Sequence, residues 1–373
     1  MNIGINALSI RNQYAGIGVY TINLIKALSQ IDQNNRYVLF LNPENYHGFK
    51  VEQDNFENVL VHAPFHKYYM WEQLYLPFLV KKKQIDIIHG PRSVLPLLCK
   101  IKSVVTIHDL AFLLFPEVMK FNPFNYWSVF VKRSALKADH IISVSESTKK
   151  DIVRSYNISE HKITVTHEAC NNSFKRIEDE STLKRISQKY NLPERFILYV
   201  GTIEPRKNLN VLLEAMDILK KKYNLDIKLI MAGKRGWLYA GFFDTLQRLG
   251  LGNNVIFTGY VPDEDLPGIY NLAEVFVYPS KYEGFGFPLL EAMSCGVPVI
   301  ASNVSSIPEV LGDAGILVRH DDPKEFAHKI YELLTDKEIR VKMSSKGFER
   351  IKFFSWEKVA KETLKVYERV YLK

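Results

Sequence analysis

Short, nearly unbroken apolar runs recur along this chain, each followed by a longer segment with helical spacing. In the first half, strands are expected at Asn2–Leu8, Tyr37–Leu41, Asn58–His62, Ile85–His89, Ser103–His108, His140–Val144 and Lys162–Thr166. Runs without a polar alternate suit parallel strands buried on both faces. Helical patterns lie between them, as at Gly18–Ser29 and Ser145–Tyr156, the latter opening on serine and threonine that can cap it. A polar stretch from Asn171 to Asn191 then breaks the pattern and reads as an interdomain connection. The alternation restarts with strands at Phe196–Val200, Lys228–Met231, Val255–Thr258, Val275–Tyr278, Val297–Ala301 and Gly315–Val318, and clear helices at Asn208–Tyr223 and Pro323–Leu334. Two doubly wound α/β domains follow from this order. Trp356–Leu372 is an amphipathic helix with Val359, Ala360, Thr363, Leu364, Tyr367 and Val370 on one stripe.

The most informative stretch is Tyr278–Ser302. A strand ends at Pro279, a loop Glu283-Gly284-Phe285-Gly286-Phe287 follows, and Pro288 sits at a helix's first turn. Gly296-Val297-Pro298 stops that helix before another apolar strand. A glycine loop entering a helix offers backbone N–H groups and the positive end of the helix dipole to an anion such as phosphate. Acids are out of place beside a bare phosphate. Glu283 and Glu291 make sense there if the ligand also carries hydroxyl donors, as a sugar nucleotide does; otherwise Glu291 caps its own helix turn and Glu283 is solvated.

Other candidate chemistry also stands where strands end, where open α/β sheets bind ligands. Gly201-Thr202 follows the first strand of the second domain, and Arg206-Lys207 precedes the next helix. Two adjacent cations there suit a diphosphate. Gly16 and Gly18, in Ala15-Gly16-Ile17-Gly18, open a helix but lack the third glycine of the dinucleotide fingerprint. His108 ends a strand beside Asp109, which could fix its tautomer. No D-x-D motif stands near a strand end, and Asp263-Glu264-Asp265 reads as a solvated helix cap, so a metal-independent site is expected.

These motifs carry a resemblance. Glu283–Glu291 (E-G-F-G-F-P-L-L-E), Tyr199–Leu209 (Y-V-G-T-I-E-P-R-K-N-L), Ala15–Tyr20 (A-G-I-G-V-Y) and Thr106–Leu110 (T-I-H-D-L) stand in the order found in glycosyltransferase family 4, or group 1. The resemblance covers nearly the whole chain. It implies the GT-B fold: a Rossmann-like acceptor-side domain at 1–172, a nucleotide-sugar-binding domain at 190–354, a central cleft, and a C-terminal helix, 355–373, packing back on the first domain. It assigns Arg206 and Lys207 to the pyrophosphate, His108 to the transferred sugar, Glu283 with Gly284, Phe285 and Gly286 to the sugar hydroxyls, and Glu291 to the ribose. Gly16, Gly18, Gly201, Thr202 and Phe287 complete the donor site.

The implied activity is retaining transfer of a hexose from GDP-mannose, UDP-glucose or UDP-N-acetylglucosamine to a saccharide or lipid-linked saccharide, in surface polysaccharide or glycolipid assembly. The leaving phosphate would serve as base, and no cofactor beyond the co-substrate is expected. A sugar-nucleotide epimerase on the same fold and a silent sugar-nucleotide-binding subunit are the alternatives.

Composition adds less. The chain has 373 residues, 47% hydrophobic and 24% charged, enough for two cores. Cys99, Cys170 and Cys295 are scattered, without zinc spacing or a disulfide framework. No run reaches the ~18 apolar residues of a membrane helix. Met1–Leu8 reads as strand rather than leader, and a cytoplasmic location is expected. Net charge is +8, and Val61–His140 holds eleven Lys or Arg against five Asp or Glu, a net of +6. Aromatics interleave with those bases: Tyr68, Tyr69, Met70, Trp71 and Tyr75 before Lys81-Lys82-Lys83, and Phe121, Phe124, Tyr126, Trp127 and Phe130 before Lys132-Arg133. Peripheral docking on an anionic membrane fits that pattern, as does a core stripe with solvated lysines. No nucleic-acid motif is present.

Overall fold

The computed structural model describes residues 1–10, 16–42, 49, 51–61, 71–116, 126–236 and 240–373. It divides into two compact units. Unit 1 holds 1–114, the described part of 121–169, and 355–373; unit 2 holds 170–354 with Phe115 and Pro116.

Unit 1 is built on a parallel seven-stranded sheet: β1 (Asn2–Asn6), β2 (Arg36–Leu41), β3 (Phe56–Leu60), β4 (Ile87–Gly90), β5 (Lys102–Ile107), β6 (His140–Ser143) and β7 (Ile163–Val165), in the spatial order β3-β2-β1-β4-β5-β6-β7. The chain winds outward from β1 in one direction, then returns to the other side of β1 at β4. Such a reversal leaves a crevice at the carboxyl ends of the two central strands. The apolar runs are buried as their pattern requires: Ile3, Ile5, Val38, Leu39, Phe40, Ile87, Ile88, Val104, Val105 and Ile107 are all fully enclosed.

The C-terminal helix Trp356–Leu372 belongs to unit 1 and packs on the helix Gly16–Ile31. Ser355 caps it by accepting the Lys358 N–H. Its buried stripe is Val359, Ala360, Thr363, Val366, Tyr367 and Val370. Val366, rather than the expected Leu364, faces inward. His89 Nδ1 lies 2.7 Å from Tyr367 Oη and its Nε2 lies 2.8 Å from Thr106 Oγ1, so the helix is pinned to β4 and β5 through one ring. Burial pulls that imidazole down to about 3, keeping it neutral.

Unit 2 repeats the architecture with β8 (Phe196–Val200), β9 (Lys228–Ala232), β10 (Val255–Gly259), β11 (Val275–Tyr278), β12 (Val299–Ser302) and β13 (Ile316–Val318), ordered β10-β9-β8-β11-β12-β13. Here the reversal falls between β8 and β11, which pair directly. The polar stretch expected to be a connection contains a helix, Glu180–Lys189, capped by Asp179. Lys189 and Tyr190 both bond Asp265, which is 2% exposed. Asp265 is therefore an ion-pairing anchor inside unit 2, not a solvated cap. Only Ile186 of that helix is buried, which is why no apolar stripe announced it.

Candidate active site

The two central strands of unit 2 deliver the charged residues. After β8 the chain passes Gly201 at φ +149°. A Cβ on Gly233, which follows β9, would stand 2.1 Å from the Gly201 carbonyl oxygen, so the two loops meet backbone to backbone. The Thr202 carbonyl accepts the Tyr199 hydroxyl at 3.2 Å. Pro205–Lys207 then form a single tight turn, and Asn208, left-handed at φ 55°, starts the helix Leu209–Lys222. The Arg206 carbonyl accepts the Lys281 N–H, tying this turn to the loop after β11.

Arg206, Lys207 and Glu283 converge. Lys207 Nζ donates to Glu283 Oε1 at 2.6 Å and to the Tyr278 hydroxyl at 2.9 Å. Arg206 Nη1 donates to Glu283 Oε2 at 2.9 Å and to the Tyr282 carbonyl at 2.7 Å, and Nη2 donates to Glu204 Oε1 at 2.7 Å. Both Glu283 oxygens are thus held by cations inside a nearly closed site; the residue is 7% exposed. Burial by itself would raise this carboxyl, but the Arg206 and Lys207 charges outweigh it and hold the pKa at about 2. Two bases and two acids leave the cluster near electrical balance. A diphosphate entering it would compete with Glu283 for the same donors.

The loop is fixed from a third strand. Ser305 Oγ accepts the Glu283 N–H, and Ser306 Oγ donates to the carbonyls of Glu283 and Phe285. Phe285 is 3% exposed and packs edge-on against Phe287 and Phe354. Gly284 and Gly286 are buried, and Gly286, at φ +113°, opens the helix Phe287–Ser294, with Pro288 in its first turn. Glu291 does not join the cationic cluster. Its Oε2 accepts the Tyr270 hydroxyl at 2.8 Å. Burial raises its pKa to about 7, with Asp263 adding to the effect.

In unit 1, His108 stands just past β5 with both ring nitrogens engaged. Nε2 lies 2.8 Å from the Pro91 carbonyl, which can only accept, so this nitrogen carries a proton. Nδ1 lies 3.0 Å from Glu168 Oε1, so a second proton must sit between imidazole and carboxyl. Burial disfavours the imidazolium, yet the Glu168 carboxylate, helped by the Pro91 carbonyl and the Asp109 charge, outweighs burial and raises the His108 pKa. Tyr20 packs edge-on at 4.8 Å. The partner that orients His108 is therefore Glu168, not Asp109, whose carboxylate accepts the Ala111 N–H instead. Gly16 and Gly18 open the helix Gly16–Ile31 as expected, both in its first turn; Gly16 is exposed and Gly18 buried. Ala15 lies outside the described residues.

Two family profiles cover most of the chain: "Glycosyltransferase Family 4" matches residues 14–172 and "Glycosyl transferases group 1" matches residues 181–350. The O-antigen chain mannosyltransferase B of Escherichia coli is 38% identical over 283 residues, spanning 76% of this chain and 74% of that protein. This chain is a group 1, family 4 glycosyltransferase. The serotype-specific mannosyltransferase WbdA of E. coli is 30% identical over 277 residues, but this chain spans only about a third of its length, 34%. Among solved structures, sucrose-phosphate synthase from Thermosynechococcus elongatus superposes with a TM-score of 0.78 at 21% identity, covering 100% of this chain and 99% of that one. Anabaena Alr3699/HepE, described in complex with UDP-glucose, superposes at 0.77 with 18% identity over 99% and 100% of the two chains. The fold is GT-B.

For this glycosyltransferase the residue pattern anticipated Arg206, Lys207 and Glu283 as one site. It missed Glu204, Tyr278, Ser305, Ser306 and Glu168. Glu204 lies within a motif already singled out, and Ser305-Ser306 precede Ile307-Pro308 just past β12, the same strand-end position as the other site residues. Glu168 had no such signal, being 60 positions from His108. Among the described residues no group of three His, Cys, Asp or Glu side chains is placed to hold a metal ion.

Proposed function

We propose that this glycosyltransferase moves a hexose, with retention of anomeric configuration, from a nucleotide-diphosphate sugar to a saccharide or lipid-linked saccharide during surface polysaccharide assembly. The observation that carries the reading is the Arg206–Glu283–Lys207 cluster where β8 and β11 end. Cations already positioned to share a carboxylate can pass to a pyrophosphate as the glycosidic bond breaks. Charge developing on the leaving group would be met by cations already held beside it.

Retention requires either a protein nucleophile or entry of the acceptor on the face the leaving group vacates. Glu283 is poorly suited to be a nucleophile, since both oxygens are bonded to cations and its basicity is low. The second route fits better, with the departing phosphate taking the acceptor's proton. Glu283 would then orient sugar hydroxyls through its remaining lone pairs. Glu291 would accept the ribose hydroxyls, and His108 would contact the transferred sugar. GDP-mannose stands first among the donors, because the relatives at 38% and 30% identity are named mannosyltransferases; UDP-glucose and UDP-N-acetylglucosamine follow.

The test is a donor panel incubated with and without EDTA, the anomeric configuration of the first product being read by NMR. A retained linkage formed equally well in chelator is expected. An inverted product would remove the leaving-group mechanism. Loss of activity in EDTA would mean that Arg206 and Lys207 do not suffice in place of a cation. Conversion of donor to an epimer without acceptor would replace transfer by epimerisation.

A further inference from the structure

Trp71–Lys82 is a helical segment whose two faces differ sharply. Trp71, Leu76, Leu79 and Val80 are enclosed in the core of unit 1, while Leu74, Tyr75 and Phe78 are 60%, 41% and 57% exposed. The neighbouring 95–99 loop carries Leu98, 63% exposed, and the helix Tyr126–Lys137 carries Leu136, 51% exposed. These three segments are fastened together. Gln73 Nε2 donates to the Leu95 carbonyl at 2.9 Å and Gln73 Oε1 accepts the Leu97 N–H at 2.9 Å. Ser134 Oγ accepts the Leu95 N–H, and Lys137 Nζ donates to the carbonyls of Leu97 and Cys99. The exposed apolar side chains therefore project from one fixed scaffold.

The charge on that scaffold is of one sign. Lys81, Lys82, Lys100, Lys132 and Arg133 are all exposed and form no ion pair among the described residues. Across 71–83, 95–102 and 127–137 the only acid is Glu72, which is fully buried. A polyanion alone would account for the bases but gives exposed leucines nothing to bury. Acyl chains beneath anionic headgroups satisfy both.

We infer that this face of unit 1 docks on an anionic lipid surface, Leu74, Tyr75, Phe78 and Leu98 entering the headgroup–acyl boundary while the lysines meet the lipid charge. Trp71, among the aromatics that suggested docking, is 1% exposed and belongs to the core; Tyr68, Tyr69, Met70, Phe121 and Phe124 lie outside the described residues. No described helix is long and apolar enough to cross a membrane. The inference stands apart from the transfer reading, because lipid binding is measured without donor or acceptor.

The experiment is sedimentation of the full chain with vesicles of phosphatidylcholine alone and of phosphatidylcholine mixed with phosphatidylglycerol, at low and high salt. Binding to the mixed vesicles only, weakening as salt screens the charges, is expected. Lys81→Ala with Lys82→Ala should weaken partitioning about fivefold per lysine. Leu74→Ser with Phe78→Ser should weaken it at both salt levels, both variants keeping the wild-type melting temperature. Binding to neither vesicle, equal binding to both, or unaltered binding by the variants overturns the proposal. So does a concentration-dependent dimer, seen in sedimentation velocity and abolished by Phe78→Ser, which would make the face a contact between copies.

Discussion

Glu283 and Glu291 sit on the same loop–helix unit, the first buried and the second partly buried, yet Glu291 holds its proton to about pH 7 and Glu283 releases it near pH 2. Burial pushes both upward. The difference is company: Arg206 and Lys207 reach across from β8 to Glu283, whereas Glu291 has the Tyr270 hydroxyl and a repelling Asp263. Cys170 and Cys295 lie near enough for the Glu291 charge to raise their thiols further. One acid is thus a fixed anion that organises cations. The other keeps its proton until close to neutrality.

The largest effect should come from removing a cation. Lys207→Ala leaves Arg206 as the one cation on Glu283 and deletes one of the two charges proposed to face the leaving group. We expect kcat/KM to fall on the order of a hundred- to a thousandfold, the loss typical of one transition-state donor. Breaking a buried pair also destabilises, by about 3 kcal/mol, so circular dichroism must show the variant folded at the assay temperature. A folded variant with wild-type turnover would take Lys207 out of the chemistry.

Part of this comparison was legible before the structure. All thirteen strands were, most of them because parallel strands buried on both faces are written as continuous apolar runs; β3, with Glu57 and Asn58 in a part-exposed edge strand, is the exception. Arg206, Lys207 and Glu283 were legible as strand-end residues, and the β8–β11 pairing then brings them together. What the pattern could not carry is the identity of partners supplied by other strands. Tyr278 beneath Lys207, Ser305 and Ser306 behind the Glu283 loop, and Glu168 against His108 depend on registers that no local spacing encodes. The helix Glu180–Lys189 was missed for a related reason: it is held by Lys189, Tyr190 and Asp265 rather than by an apolar stripe.

Glu291→Gln sharpens the comparison through pH. The folded protein keeps the Glu291 proton until about pH 7, while the unfolded chain releases it near the ordinary 4.5. Between those values the native state binds more protons, so stability falls as pH rises across that window and levels off above it; the full span amounts to about 3 kcal/mol. Glu283 acts in the opposite sense. Its stabilisation is complete above 4.5 and is lost as pH drops toward 2. Glutamine imitates protonated Glu291, so the variant's melting temperature should lose its decline between pH 5 and 7 yet still collapse in acid. Nucleotide affinity that rises with pH through 7 in the wild type should become flat in the variant, since only the carboxylate accepts strongly from ribose hydroxyls. A decline that persists unchanged would show that some other group titrates there.

The smallest expected effect tests the third carboxyl, Glu168, whose partner is a histidine rather than a pair of permanent cations. With His108 Nε2 committed to the Pro91 carbonyl, the proton at Nδ1 is held by Glu168, with the Asp109 charge as a lesser support. Glu168→Gln preserves an acceptor for that N–H but removes the negative charge that overcomes burial. The His108 titration midpoint, followed by NMR of labelled histidine, should drop from its raised position, since burial then acts with less to oppose it. His89, already neutral and bonded to Tyr367 and Thr106, should not move. A midpoint for His108 that stays raised in the variant would shift the source of its charge to Asp109 and leave Glu168 as a packing group.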